Sequence, residues 1–275
     1  MTKRFGIAAF AAASLWLASG SIVSAQVTDP NKNEAKCETS TGKALNKFVA
    51  SSSKCVGKCV ATARKTSGPY AGCFGNPPAD PTTNACLNDP AKGAVAKARA
   101  SIAKACAADC PECYTAQGPD TCTTGDPLVS TTVTNSTPFG PLVYCVENGG
   151  GTPSKEVGKC EDAVSKTLVK FISSKSKCYE KCNAAVLKGT IPQGSCDPPL
   201  PTDFKTFDCI FNPVKGAEAK AVAAIDKACA TPGYNPPCYA PLFDTGAEWV
   251  AIVEASVDAS IPNVACGSPS GAFLQ

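Results

Sequence analysis

KCVGKC, residues 54–59, and KCYEKC, residues 177–182, each place two cysteines four apart between lysines. On a helix, an i, i+4 pair projects both thiols from one face. Such a stretch suits a metal clamp, a redox couple or a pair of disulfide anchors. A zinc site wants four ligands, often on a CxxC knuckle, and this chain has no histidine at all. The same lack removes His-based triads, HExxH zinc sites and haem attachment through CxxCH. The sequence therefore predicts no metal and no cofactor. Cys110-Pro111-Glu112-Cys113 is the sharper redox candidate, because CxxC is the signature of thiol–disulfide oxidoreductases. The βαβ pattern that such a motif needs is missing. No pair of carboxylates has the spacing and surroundings of an acid and a base, so the expected class is not an enzyme.

The cysteines themselves are periodic. Cys37, Cys55, Cys59, Cys73, Cys86 and Cys106 recur as Cys160, Cys178, Cys182, Cys196, Cys209 and Cys229, every offset being 123 residues. Cys113 then matches Cys238 and Cys145 matches Cys266, with a small drift in register. Phe48 with Phe171, Gly93 with Gly216 and Ile102 with Ile225 repeat as well. The chain is an internal duplication.

Elements must hold these thiols in place. Asp29-Pro30 and its counterpart Thr152-Pro153 predict helix starts, as do Asp89-Pro90 and Asn212-Pro213, because each sets a capping side chain before a proline at the first helical position. Long helices are expected near 30–66 and 153–188, and shorter ones near 90–107 and 213–230. Between them lie Pro-, Gly- and Asp-rich loops such as FGNPPADPTTN and DPPLPTD. Cys37 and Cys55 are 18 residues, or five helical turns, apart and point the same way. A returning antiparallel helix brings Cys106 to Cys37 and Cys86 to Cys55 or Cys59. The nested solution is Cys37–Cys106, Cys55–Cys86 and Cys59–Cys73, repeated as Cys160–Cys229, Cys178–Cys209 and Cys182–Cys196. The register equally allows Cys55 and Cys59 to exchange partners. Cys110 and Cys122 lack counterparts in the second unit, which pairs them with each other. Cys113–Cys145 and Cys238–Cys266 then complete the set, and the CxxC motif is divided between two structural bridges.

The fold class is thus mainly α: two tandem disulfide-stapled helical hairpins with irregular loops. Residues 1–25 read as a secretory signal peptide, with Lys3 and Arg4, an apolar run and small residues before Gln26. The first Cys-rich helical repeat spans 26–145, a Gly-rich linker 146–151, and the second repeat 152–275. Irregular, threonine-rich chain such as STTVTNSTPFG should follow the first hairpin. EWVAIVEASVD, residues 248–258, reads as a further packing element, with an exposed Trp249 as partner contact the lesser alternative. Asn135-Ser136-Thr137 matches a glycosylation acceptor. No later segment is long and apolar enough to span a bilayer. An even cysteine number in an exported chain implies an oxidising location, secreted or periplasmic, at the cell exterior.

Lys3 and Arg4 are the only charges of the leader, so the remainder carries 24 basic against 23 acidic residues, a net charge of +1. That balance predicts no nucleic-acid partner. The lysines are nevertheless ordered. Lys36, Lys43, Lys47, Lys54, Lys58 and Lys65 follow spacings of 7 and 4, and Lys159, Lys166, Lys170, Lys177, Lys181 and Lys188 repeat them. Those spacings keep one helical face. Charge on the face opposite the core is the ordinary reason for such a stripe. Solvation alone would accept glutamate as readily, so a contact with an acidic exterior polymer is the alternative, centred on Lys43, Lys47, Lys54, Lys58, Lys166, Lys170, Lys177 and Lys181. The expected function is a non-catalytic structural or binding role at the cell exterior. Polyanion binding through the lysine stripes and thiol–disulfide exchange through Cys110 and Cys113 are the alternatives.

Overall fold

The computed structural model describes residues 32–68, 70–136, 139–145, 154–192, 194–230, 235–236, 238–239, 244–261 and 264–265. The expected leader, the 146–151 linker and Cys266 lie outside the described residues, as does Thr137 of the glycosylation motif. Among the described residues the chain is helical, without a β-sheet.

Helix α1 (Lys32–Thr66) is followed by a short 3-10 turn (Ala71–Cys73), α2 (Pro81–Asn88), α3 (Ala94–Cys106), α4 (Glu112–Gln117), α5 (Thr121–Thr124), α6 (Asp126–Ser136) and α7 (Phe139–Val143). The second half contains α8 (Lys155–Leu187), α9 (Phe204–Phe211), α10 (Ala217–Cys229) and α11 (Gly246–Ser260). Helices α8, α9 and α10 begin 123 residues after α1, α2 and α3.

Several local expectations are corrected. Asp89-Pro90 and Asn212-Pro213 do not open helices. The Asp89 carboxylate accepts from the amides of Ala91 and Lys92 and closes a turn, and α3 begins only at Ala94, with Gly93 at the N-cap. A Cβ on Gly93 would lie 2.6 Å from the backbone of Asp89 and Leu87, as one on Gly216 would from Asn212 and Ile210. That close approach explains the repeated glycine. The Pro-rich loops hold real helices, because Asp80 and Asp203 cap α2 and α9 by accepting from the amides of Thr83 and Thr206. Cys86 therefore rides on α2 and not on the returning helix. The threonine-rich segment expected to be irregular is largely helical, in α6 and α7. Helix α11 is the further packing element: Thr245 and Glu248 form its capping box, and Trp249 is fully buried.

Helices α1 and α8 run antiparallel. Asn46 donates to Glu180, Ser53 meets Ser165, and Arg64 reaches Glu161, so the numbering of one helix rises as the other falls. Glycines let the helices come close at both ends of this contact. A Cβ on Gly42 would sit 2.9 Å from Glu180, and one on Gly158 would sit 2.9 Å from the Arg64 guanidinium. α3 packs on α1 and α10 on α8, with α6 and α11 covering the remaining apolar sides. One core joins the halves: Val60, Tyr70 and Tyr144 pack in the same cluster as Leu168, Phe171 and Trp249.

The structure pairs Cys37 with Cys106, Cys55 with Cys86, Cys59 with Cys73 and Cys110 with Cys122. In the second half Cys160 pairs with Cys229, Cys178 with Cys209 and Cys182 with Cys196. The expected Cys113–Cys145 and Cys238–Cys266 bridges are corrected, because Cys145 bonds to Cys238, 93 residues away. The antiparallel helix pair brings the end of the first half beside the Cys238 loop. Tyr239, next to Cys238, donates from its buried hydroxyl to the Val143 carbonyl at 2.8 Å. The opposite contact mirrors it. Tyr114, next to Cys113, donates to the Val264 carbonyl at 2.7 Å.

Candidate polyanion-binding face and interfacial clefts

The lysine rows follow from helix geometry. On α1 the residues facing α2 and α3, such as Cys37, Ala44, Phe48 and Cys55, lie on one side, and those facing α8, such as Gly42, Asn46, Ser53 and Arg64, on another. At ~100° per residue the lysines fall about a quarter turn from each set, on the side away from both. Lys36, Lys43, Lys47, Lys54, Lys58 and Lys65 are all exposed, as are Lys159, Lys166, Lys170, Lys177, Lys181 and Lys188.

The antiparallel contact also relates the two rows. A half-turn about an axis between Val49 and Ile172, 123 residues apart, exchanges α1 and α8. That axis is normal to the plane of the pair, so the rows emerge on the same side. Glu180 reports their meeting, since Lys43 of one helix and Lys177 of the other both favour its ionised form. Burial acts first and raises its carboxyl. The result is a two-helix basic face about 50 Å long, from the ~1.5 Å rise of helices of more than thirty residues.

Other charges are used internally. Arg64 donates to Glu161 at 2.6 Å and to Tyr70 at 3.0 Å, and lies 3.0 Å from Asp162. Burial pushes the Glu161 carboxyl up to about 7, against the opposing pull of Arg64. Lys175, missed as a special residue by its sequence context, is fully buried and bridges Glu254 and Asp258 at 2.7 Å each. Its only sequence signal is that it stands outside the 7-and-4 spacing of the other lysines.

The cysteines form no reactive centre among the described residues. Cys110 is bonded to Cys122, and Cys113 is itself disulfide-bonded. The CxxC pair is thus divided between two bridges. Cys37, Cys106 and Cys122 bring three sulfurs together, but Cys37 and Cys106 are each other's partners and Cys122 is held by Cys110.

Two apolar clefts open beside the α1–α8 contact, one on either side of the exchange axis and away from the lysine rows. One, of ≈ 160 Å³, lies between Val56, Leu168, Val169 and Tyr144. The other, of ≈ 150 Å³, lies between Leu45, Tyr179, Val257 and Ile261. Val49, Ile172 and Val253 line both. Residue periodicity places Val49 and Ile172 on helix stripes, but the clefts appear only once the two halves are packed together.

No protein-family model, curated protein or solved structure matches the chain.

Proposed function

We propose that this protein is a non-catalytic, disulfide-braced binding module of an oxidising exterior compartment, and that it attaches to an acidic polymer along the α1–α8 lysine face. The observation that carries this reading is the shared side of the two rows. Each row alone offers six exposed lysines, and the antiparallel pair joins twelve. Like charges four apart weaken a helix by ~0.2–0.5 kcal/mol per pair, a cost that a polyanion would offset. The density of bridges supports the compartment, since such frameworks persist where thiols are oxidised. No described helix is long and apolar enough to cross a membrane.

Attachment of this kind is multivalent, weakly specific and strongly screened. The test measures binding of the full chain to an acidic polysaccharide across a salt series. Replacing Lys43, Lys47, Lys54 and Lys58 with glutamine should weaken binding, and adding the same change at Lys166, Lys170, Lys177 and Lys181 should abolish it. Binding that survives both changes, or that ignores salt, ends the proposal.

A further inference from the structure

The lysines of the two rows are not spread evenly along the face. Gly42 meets Glu180 and Gly158 meets Arg64, which fixes the register of the antiparallel pair. Lys43 and Lys47 therefore stand level with residues 175–179, beside Lys177 and Lys181. Lys54 and Lys58 stand level with residues 164–168, beside Lys166 and Lys170. Each group draws two lysines from each helix, and all eight are exposed. On either helix the groups are eleven residues apart, roughly 16 Å at the ~1.5 Å rise. Eleven residues are close to three whole turns, so both groups share one side. Between them stand Ala50 and Ser51 on α1 and Ser173 and Ser174 on α8, and Lys175 there is buried.

The two groups differ by one acid. Glu180 lies beside the first: its carboxylate accepts from Asn46 at 3.3 Å, and Lys43 and Lys177 both act on it. Gly57, 123 positions earlier, stands level with the second group and brings no carboxylate there. The next acids along α8, Glu161 and Asp162, are both held by Arg64, at 2.6 and 3.0 Å. We propose that a linear polyanion grips Lys54, Lys58, Lys166 and Lys170 first, and reaches Lys43, Lys47, Lys177 and Lys181 only when it is long enough to cross the roughly 16 Å between the groups. Glu180 weakens the second grip. This rests on the polyanion reading above and adds to it a minimum ligand length, an order of engagement and the residue that sets the order. Linking the two grips through one ligand raises affinity without any new kind of contact.

The test uses the full oxidised chain in low salt at mildly alkaline pH, with oligogalacturonates shorter and longer than the distance between the groups. Calorimetry reads affinity, and acylation followed by mass spectrometry reads which lysines the ligand protects. Short oligomers should protect Lys54, Lys58, Lys166 and Lys170 ahead of the other four. Long ones should protect all eight and bind about tenfold more tightly. Changing Lys54, Lys58, Lys166 and Lys170 to glutamine should cost about two- to fivefold more affinity than the same change at Lys43, Lys47, Lys177 and Lys181, the span of one exposed charge pair. Glu180→Gln should close that gap. If a fourfold variant fails to fold, the protection pattern of the wild type still decides. Equal protection of both groups by short oligomers, or long oligomers that bind no better, overturns this proposal and leaves the polyanion reading standing. Absence of any binding to the wild type ends both.

Discussion

Glu38 and Glu161 are counterparts 123 residues apart, and both are buried. Glu161 receives Arg64 across the interface, but the residue 123 positions after Arg64 is Leu187, so the second half has no arginine there to reach Glu38. Burial, with Glu34 adding to it, pushes the Glu38 carboxyl up to about 8 from 4.5. The folded chain therefore holds a proton that the unfolded chain releases near 4.5, and stability falls as pH rises from there through about 8. Glu38→Gln should match the wild type at pH 4 and exceed it at pH 9 by on the order of 5 kcal/mol. Denaturation at both pH values checks this, and an unchanged difference between them would refute the proton argument. Lys175 gives the contrasting case. Its counterpart is Ser52, so the buried Lys175–Glu254–Asp258 group belongs to the second half alone. Lys175→Met should cost ~3–5 kcal/mol, because it leaves two partly buried carboxylates without their cation. Neither buried charge was legible in the sequence: a lysine or glutamate on a helix reads as solvent-facing until the covering helix is known.

At the scale of elements, capping chemistry decides what the sequence pattern leaves ambiguous. Asp80-Pro81 and Asp89-Pro90 are both Asp-Pro pairs, yet only the first opens a helix. Asp80 accepts from the Thr83 amide at 2.7 Å and from its hydroxyl at 2.6 Å, whereas Asp89 closes the turn between α2 and α3. Asp80→Ala should therefore destabilise by about 1 kcal/mol, and Asp203→Ala likewise. Pro90→Ala should have a smaller effect, since Pro90 begins no helix. Thermal melts of the three variants separate these outcomes. The long helices were legible because their lysine and apolar stripes run for many turns. α2 and α9 were not, because eight residues rich in Thr, Asn or Phe between prolines resemble a loop by composition. The short helices matter nonetheless: Cys86 and Cys209 reach Cys55 and Cys178 from them.

At the scale of the molecule, the two halves behave as a covalently joined pair whose ends are exchanged. Closed two-fold pairs repeat each contact reciprocally, and here Tyr239 to Val143 answers Tyr114 to Val264. A duplicated sequence cannot reveal that exchange, because Cys113 is equally complementary to the cysteine ending its own half and to the equivalent one ending the other. Only the antiparallel docking of α1 on α8 breaks the tie, and it sends Cys145 to Cys238. The six repeated bridges escape this degeneracy, since each joins a long helix to an element returning along it. Two consequences follow from the exchange. Because Val60 and Tyr144 share a cluster with Phe171 and Trp249, the halves should unfold in one transition, and Cys145→Ser with Cys238→Ser should lower its midpoint by the equivalent of about 2–4 kcal/mol. Two separate transitions in the wild type would contradict the shared core. The other consequence is a bond. Of 18 cysteines, 16 stand in the eight pairs described, and Cys113 is bonded. Reciprocity expects its partner to be Cys266, two residues beyond Val264 as Cys145 is two beyond Val143. Non-reducing peptide mapping should recover Cys113 with Cys266, and Cys113→Ser should leave one titratable thiol in Cys266. A peptide joining Cys113 to any other cysteine would show that the exchange is one-sided.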